Sequence, residues 1–291
     1  MSSCKKLYIL TFLGIIVAVL LAAYYLVSLK TEIKLLKKQN KNQELLLDNR
    51  TKELSKVIND KVQAQNWVWS NDSELEKIAN DFFKNGLNYN RSQTPLCSIM
   101  SKENSDKAPP AGHNYTQLYY ALFKDKQNAS LNIFEVGLDT NNTDLLSNMG
   151  ANGTPGASLR GWRNFFPNSM VYGADVDKRI LFTEDRIKTY YVDQLKADTI
   201  SAMWSEIGNI EFDVILDDGL HTYDANTIFL ENSLTHLKKD GIYIIEDIGE
   251  RYVDSWKEYI LKNNYHAVII ELPDYYGNHA YDNRVILIKK L

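Results

Sequence analysis

Phe212-Asp213-Val214-Ile215-Leu216-Asp217-Asp218-Gly219-Leu220-His221 is a short apolar run that ends abruptly in two carboxylates and an imidazole. Gly241-Ile242-Tyr243-Ile244-Ile245-Glu246-Asp247 repeats the pattern further along the chain. Brief runs rich in Ile and Val, bounded by Gly and Asp, read as buried strands. Between them, once past His221-Thr222-Tyr223, Asp224 to Leu237 reads as one amphipathic helix. A strand–helix–strand unit joins parallel strands, so both acidic clusters leave the sheet at its carboxyl edge, where open α/β sheets bind ligands. Crowding four carboxylates and an imidazole there is unfavourable for stability. A metal ion, a cationic cofactor or proton chemistry accounts for them.

The same rhythm extends in both directions. Strands are predicted at Leu131 to Val136, Met170 to Gly173, Ile187 to Val192, Ala267 to Leu272 and Arg284 to Ile288, and helices at Ser158 to Phe166, Thr199 to Ile207 and Tyr252 to Lys262. Upstream, helices are predicted at Glu74 to Lys84, Leu96 to Lys102 and Tyr115 to Lys124. Alternation of this kind builds a doubly wound, mostly parallel sheet with helices on both faces. The expectation is an α/β fold of seven strands, whose last two, lacking a helix between them, form a terminal antiparallel pair.

Leu7 to Leu29 is a stretch of 23 residues without a charge. That is enough to cross a hydrocarbon core of ~30 Å as a helix. Residues 30–66 carry nine Lys/Arg against five Asp/Glu and read as a basic helical stalk. Asn40, Gln43 and Arg50 interrupt a heptad seam there, so a solvated helix is favoured over a strong coiled coil, and weak homo-oligomerisation stays open. The organisation expected is therefore 1–29 tail and anchor, 30–66 stalk, 67–130 helical lead-in, and 131–291 core. Lysines behind the span outnumber those before it, which places the C-terminal side in the cytoplasm under the positive-inside bias. The protein is expected to be single-pass, held in the membrane by residues 7–29.

Residues 67–291 hold 22 Lys/Arg and 32 Asp/Glu. A domain so acidic repels phosphate backbones, which excludes nucleic acid as a substrate class. Cys4 and Cys97 form neither a metal spacing nor a disulfide framework.

Polar residues gather after each strand: Glu135-Val136-Gly137, then Asp175 and Asp177, Asp193-Gln194, Asp217-Asp218 with His221, and Glu246-Asp247. A nucleoside cofactor needs a carboxylate for its ribose hydroxyls, a polar pair for its base and a glycine for close backbone approach. The first turn lacks the Gly-X-Gly-X-X-Gly of dinucleotide sites. A long segment, Leu138 to Ala157, follows Gly137 instead. That disfavours a bound pyrophosphate, and a dehydrogenase with it.

Phe134-Glu135-Val136-Gly137, Pro155-Gly156-Ala157-Ser158-Leu159-Arg160-Gly161-Trp162, Tyr172-Gly173-Ala174-Asp175-Val176-Asp177 and the two strand-end clusters resemble metal-dependent sugar O-methyltransferases of the mycinamicin type. Ser105-Asp106-Lys107 and His113-Asn114-Tyr115-Thr116 are similar to the segment that precedes the domain in that group. The resemblance spans roughly residues 95–291. It implies a class I methyltransferase-like fold, S-adenosylmethionine and Mg²⁺ as cofactors, and a small-molecule or glycan acceptor. It implies Asp218 and Asp247 as metal ligands with Glu246 or Glu135 assisting, His221 as general base, Asp175 at the ribose, and Asp193 or Gln194 near the adenine. Glu135, Gly137, Ser158 and Asp217 complete the expected cofactor set. One departure stands out: Leu220 occupies a position where a small serine is usual.

The chemistry stands beside the resemblance. A sugar hydroxyl is too weakly acidic to ionise at neutral pH. Coordination to a divalent ion lowers its pKa, and a nearby imidazole removes the proton. Carboxylate oxygens suit Mg²⁺ better than zinc. His113 and Tyr115 are expected to line the pocket and His236 and His266 to be structural, while His279, in the loop before the last strand, is only a minor candidate for touching an acceptor. Methylation of a non-sugar hydroxyl, and a non-catalytic membrane-tethered binding module of the same fold, remain the alternatives.

Overall fold

Successive residues of a strand face opposite sides of its sheet. In this chain both sides are apolar, so helices must cover both. The computed structural model describes residues 67–86, 94–109, 113–145, 147–273 and 281–291, with scattered positions between 26 and 50. In chain order the elements are β1 Val68–Ser70, α1 Ser73–Gly86, α2 Pro95–Lys102, α3 Tyr115–Phe123, β2 Asn132–Val136, α4 Ala157–Phe165 and β3 Met170–Asp175. There follow β4 Thr183–Glu184, β5 Ile187–Tyr191, α5 Ala197–Ile207, β6 Phe212–Asp217, α6 Tyr223–Ser233, β7 Leu237–Ile245, α7 Val253–Lys262, β8 His266–Glu271 and β9 Arg284–Lys289.

The strands form one sheet in the order β1-β8-β9-β7-β6-β2-β3-β5-β4. β5, β3, β2, β6 and β7 run parallel, and β9 inserts antiparallel between β7 and β8. On one face Ile133, Val171 and Leu216 pack with Leu118 of α3 and Leu159 and Phe165 of α4. On the other, Phe134, Ile215 and Tyr243 pack with Trp204 of α5, Phe229 of α6 and Trp256 of α7. Removing each such large side chain from water stabilises the fold by about 1.5–3 kcal/mol.

Among the described residues the sheet has nine strands rather than the expected seven. β1 pairs antiparallel with β8, so the β8–β9 pair is not terminal. Val68 of β1 packs toward one core, and Trp69 with the preceding Trp67 toward the other, but so short a run carries no readable period. β4 adds a two-residue hairpin to β5, with Arg186 at φ +56° in the turn. The predicted helix to Leu237 stops at Ser233, because Leu237 already pairs with Phe212. The strand then bulges, with Asp240 at φ +61°.

The chain divides into two compact units, Met1–Lys61 and Val62–Leu291. In the first, the described positions are helical, and Leu26, Ile33, Leu36 and Leu47 are exposed. The expected membrane span lies outside the described residues except for Leu26 and Leu29. Among the described residues no helix is long and apolar enough to cross a membrane.

Candidate active site

The strand ends of the parallel sheet open onto a cleft of about 350 Å³, lined among others by Gly137, Asp175, Gln194, Asp218, His221 and Asp247. Parallel register sets its floor. The Asp218 N–H donates to Val136 O at 2.9 Å and the Glu246 N–H to Asp217 O at 3.0 Å, so the loops after β2, β6 and β7 leave side by side. Gly137 is required here. It sits at φ +93°, and a Cβ on it would fall 1.9 Å from the Asp218 carbonyl oxygen.

Asp218, His221 and Asp247 converge at one end of the cleft. One ligand atom from each lies within 4.8 Å of the others. His221 Nε2 is 3.9 Å from Asp218 Oδ1, and its Nδ1 is 3.7 Å from Asp247 Oδ2. Both separations exceed a hydrogen bond, and Nδ1 is buried without a hydrogen-bond partner. His221 and Asp247 each hold φ near +55°, a conformation that non-glycine residues adopt at a penalty of order 1–3 kcal/mol and that clusters at functional sites.

The remaining expected residues divide into two groups. Asp193 and Gln194 line the cleft with Asp175. Asp175 accepts the Leu138 and Asp177 backbone N–H groups at 2.7 Å each. Gln194 donates to Asp217 Oδ1 at 2.7 Å and accepts the Leu220 N–H at 2.8 Å, bridging the loops after β5 and β6. Asp193 pairs with Lys196 at 2.8 Å.

Glu135, Ser158, Asp217 and Glu246 stand outside the residues that line the cleft. Glu135 is wholly buried and accepts from Ser158 Oγ at 2.6 Å and Trp162 Nε1 at 2.7 Å. That leaves Ser158 a support for Glu135. Asp217 lies beneath Gln194, and burial pushes its carboxyl up to about 6. Glu246 has both oxygens engaged, Oε2 by Lys107 at 2.6 Å and Oε1 by the Tyr119 hydroxyl.

Sequence reasoning missed Lys107. This ammonium is buried among acids, bonded to Asp218 Oδ2 and Glu246 Oε2 and 3.4 Å from Glu135. Burial raises the Asp218 carboxyl, but Lys107 and then His221 outweigh it and hold the group below its ordinary range. Glu246 moves the other way, well above its ordinary range, through burial against Lys107 and repulsion from Asp218 and Asp247. Asp247 is raised by burial, opposed by His221 and His113.

Tyr115 and Tyr119, one helical turn apart on α3, place their hydroxyls on Asp247 Oδ1 (2.7 Å) and Glu246. That i, i+4 spacing was the available signal. Asp139, at φ +60° on the cleft wall, was also missed; burial, Asp106 and Asp218 push its carboxyl well above the usual range.

The long loop after β2 is tied down by Asp177, which accepts from Thr140 Oγ1 at 2.6 Å, Asn142 Nδ2 at 2.7 Å and Arg179 Nε at 2.7 Å. His236 stacks on Trp204, and His266 pairs with Asp72 at 3.0 Å. The loop bearing His279 lies outside the described residues.

No family model matches the chain. It is 29% identical over 143 residues to the mycinamicin VI 2''-O-methyltransferase of Micromonospora griseorubida, covering 48% of this chain and 33% of that protein. It is 27% identical over 143 residues, with the same coverage, to the demethylmacrocin O-methyltransferase of Streptomyces fradiae. The chain thus spans about a third of the length of these curated relatives. Among solved structures, the MycE methyltransferase of the mycinamycin biosynthetic pathway, in complex with Mg and SAH, superimposes with a TM-score of 0.50 at 21% identity. That match covers 68% of this chain and 55% of the other. In sequence the chain resembles the mycinamicin-type sugar O-methyltransferases, and in fold it resembles the MycE methyltransferase.

Proposed function

We propose that this protein is a membrane-anchored O-methyltransferase that uses S-adenosylmethionine and a divalent cation, Mg²⁺, to methylate a hydroxyl of a sugar, glycan or glycosylated metabolite. The observation that carries the reading is the meeting of Asp218, Asp247 and His221 at one end of the cleft, with His221 Nδ1 buried and unbonded. A purely structural trio would satisfy its buried polar atoms internally. An all-carboxylate oxygen pair beside a cleft suits a hard cation. The acidic wall, with Asp106, Asp139, Asp218 and Asp247, suits a sulfonium.

Asp218 and Asp247 would hold the ion, which when bound lowers the pKa of an acceptor hydroxyl. With the ring proton on Nδ1, 3.7 Å from Asp247 Oδ2, His221 would keep its free lone pair on Nε2. In the transfer the acceptor oxygen would take the methyl group as the sulfonium S–CH3 bond breaks to leave a neutral thioether, and the hydroxyl proton would pass to that nitrogen. The imidazolium formed stands between two carboxylates, which stabilise it. Asp175 and the Asp193-Gln194 pair line the cleft for the nucleoside portion. Anchoring by residues 7–29, with the catalytic unit on the cytoplasmic side, would bring it to membrane-associated acceptors; carbonate extraction of the full chain should leave it in the membrane pellet.

Titration calorimetry of the full chain with S-adenosylmethionine is the direct test. Binding is expected, and its absence at millimolar cofactor rules the reading out. Methyl uptake by a panel of nucleotide-sugars and lipid-linked glycans should then disappear in EDTA and return with Mg²⁺. Full activity in EDTA would remove the metal from the scheme.

A further inference from the structure

We infer that Tyr115, His113 and Lys107 are positioning residues that set which divalent cation the site accepts, by pinning one oxygen of each candidate ligand carboxylate. The inference rests on the metal reading proposed above and goes beyond it.

The geometry is reciprocal. Asp247 Oδ1 accepts the Tyr115 hydroxyl at 2.7 Å and lies 3.2 Å from His113 Nε2. Asp218 Oδ2 is bonded to Lys107. The oxygens left over are Asp247 Oδ2 and Asp218 Oδ1, the two that face His221. Each carboxylate therefore offers the cleft a single oxygen.

The pins are themselves held. Tyr115 is fully buried, and its ring stacks on His113 with centroids 4.4 Å apart and 11° between planes. His113 Nδ1 is 3.1 Å from Asn283 Oδ1. Asn283 in turn donates to Asn114 Oδ1 and Leu272 O at 3.1 Å each. The segment ahead of α3 and the residue that precedes β9 thus fix the Asp247 carboxylate from outside the cleft.

Two single-oxygen carboxylates, with the other positions left to water, substrate or the nearby imidazole, match a small ion that demands octahedral geometry and keeps several waters. Ca²⁺ takes 6–8 oxygens and commonly draws two from one carboxylate. Freeing Asp247 Oδ1 removes the geometric bar to that second contact. Outer-shell partners of metal ligands typically change metal affinity 10–100-fold when mutated.

The experiment is titration calorimetry of Mg²⁺ and Ca²⁺ into the full chain and its Tyr115→Phe variant, with circular dichroism to confirm folding. The wild type is expected to prefer Mg²⁺. Tyr115→Phe should lose Mg²⁺ affinity ~10-fold or more while Ca²⁺ affinity holds or rises, so that the ratio falls by at least that factor. A ratio unchanged in the variant overturns the inference and leaves the proposed function standing. A wild type that binds no Mg²⁺ overturns both. Should Tyr115→Phe not fold, His113→Ala, which keeps the phenol and removes the second contact, is held to the same fall in ratio.

Discussion

Replacing Lys107 by methionine is expected to destabilise the folded domain by about 3–5 kcal/mol, the range for removing one partner of a buried ion pair. Against a total of about 5–15 kcal/mol for a typical domain, that is about a fifth or more of what holds it folded. The side chain is 1% exposed and its ammonium stands among Asp218, Glu246 and Glu135. Burial alone lowers a lysine pKa; here the three acids outweigh it and raise the group well above its ordinary value. Methionine fills a similar volume, so the loss is one of charge more than of packing. Urea unfolding of the full chain measures it. Adding Glu246→Gln to the methionine variant removes one of the stranded acids and should recover part of the loss, because the two sites share a contact and their effects do not add. A methionine variant with the wild-type urea midpoint would show that Lys107 does not carry the charge balance of the site.

Lysine 107 also shows where the sequence stops being legible. The strand-end acids could be read because parallel strands deliver everything that follows them to one edge, and an apolar run followed by Asp-Asp or Glu-Asp marks that edge. Which acids would face the cleft was not readable. Glu246 and Asp247 are adjacent, and their separation into a buried partner of Tyr119 and a cleft-facing carboxylate depends on Asp247 adopting φ +55°. Nothing in residue type announces that conformation. Glu135 and Ser158, expected at the cofactor for the same reason, bond to each other, which residue type did not announce either. Lys107 follows Ser105-Asp106 in a segment of turns before Pro109, and lysines are almost never fully buried unless paired. Only the fold, by laying that segment under β6 and β7, supplies the partners. Edge strands β1 and β4 escape for a simpler reason: two or three residues are too few to express a period of two.

The largest kinetic effect is expected at His221. His221→Ala should lower the methyl-transfer rate by about 10²–10⁴-fold at saturating Mg²⁺, the usual contribution of a positioned general base, with little change in affinity for S-adenosylmethionine. Alanine is the informative replacement because it keeps the Cβ. The backbone at position 221 holds φ +55°, and glycine would relax that strain along with removing the imidazole, mixing a stability change of order 1 kcal/mol into the result. The alternative role is ligation, since His221 stands within reach of the same point as Asp218 and Asp247. The two roles separate cleanly. A ligand lost from the ion appears as weakened Mg²⁺ binding in calorimetry and as a rate that recovers when more metal is added. A base lost from the cleft leaves Mg²⁺ binding intact and the rate low at any metal concentration. It also leaves a space, about a third open to solvent in the wild type, into which free imidazole can diffuse and restore part of the turnover. Recovery by excess Mg²⁺ without recovery by imidazole would move His221 from proton acceptor to metal ligand, and the hydroxyl proton would then need another destination among the acids of the cleft wall.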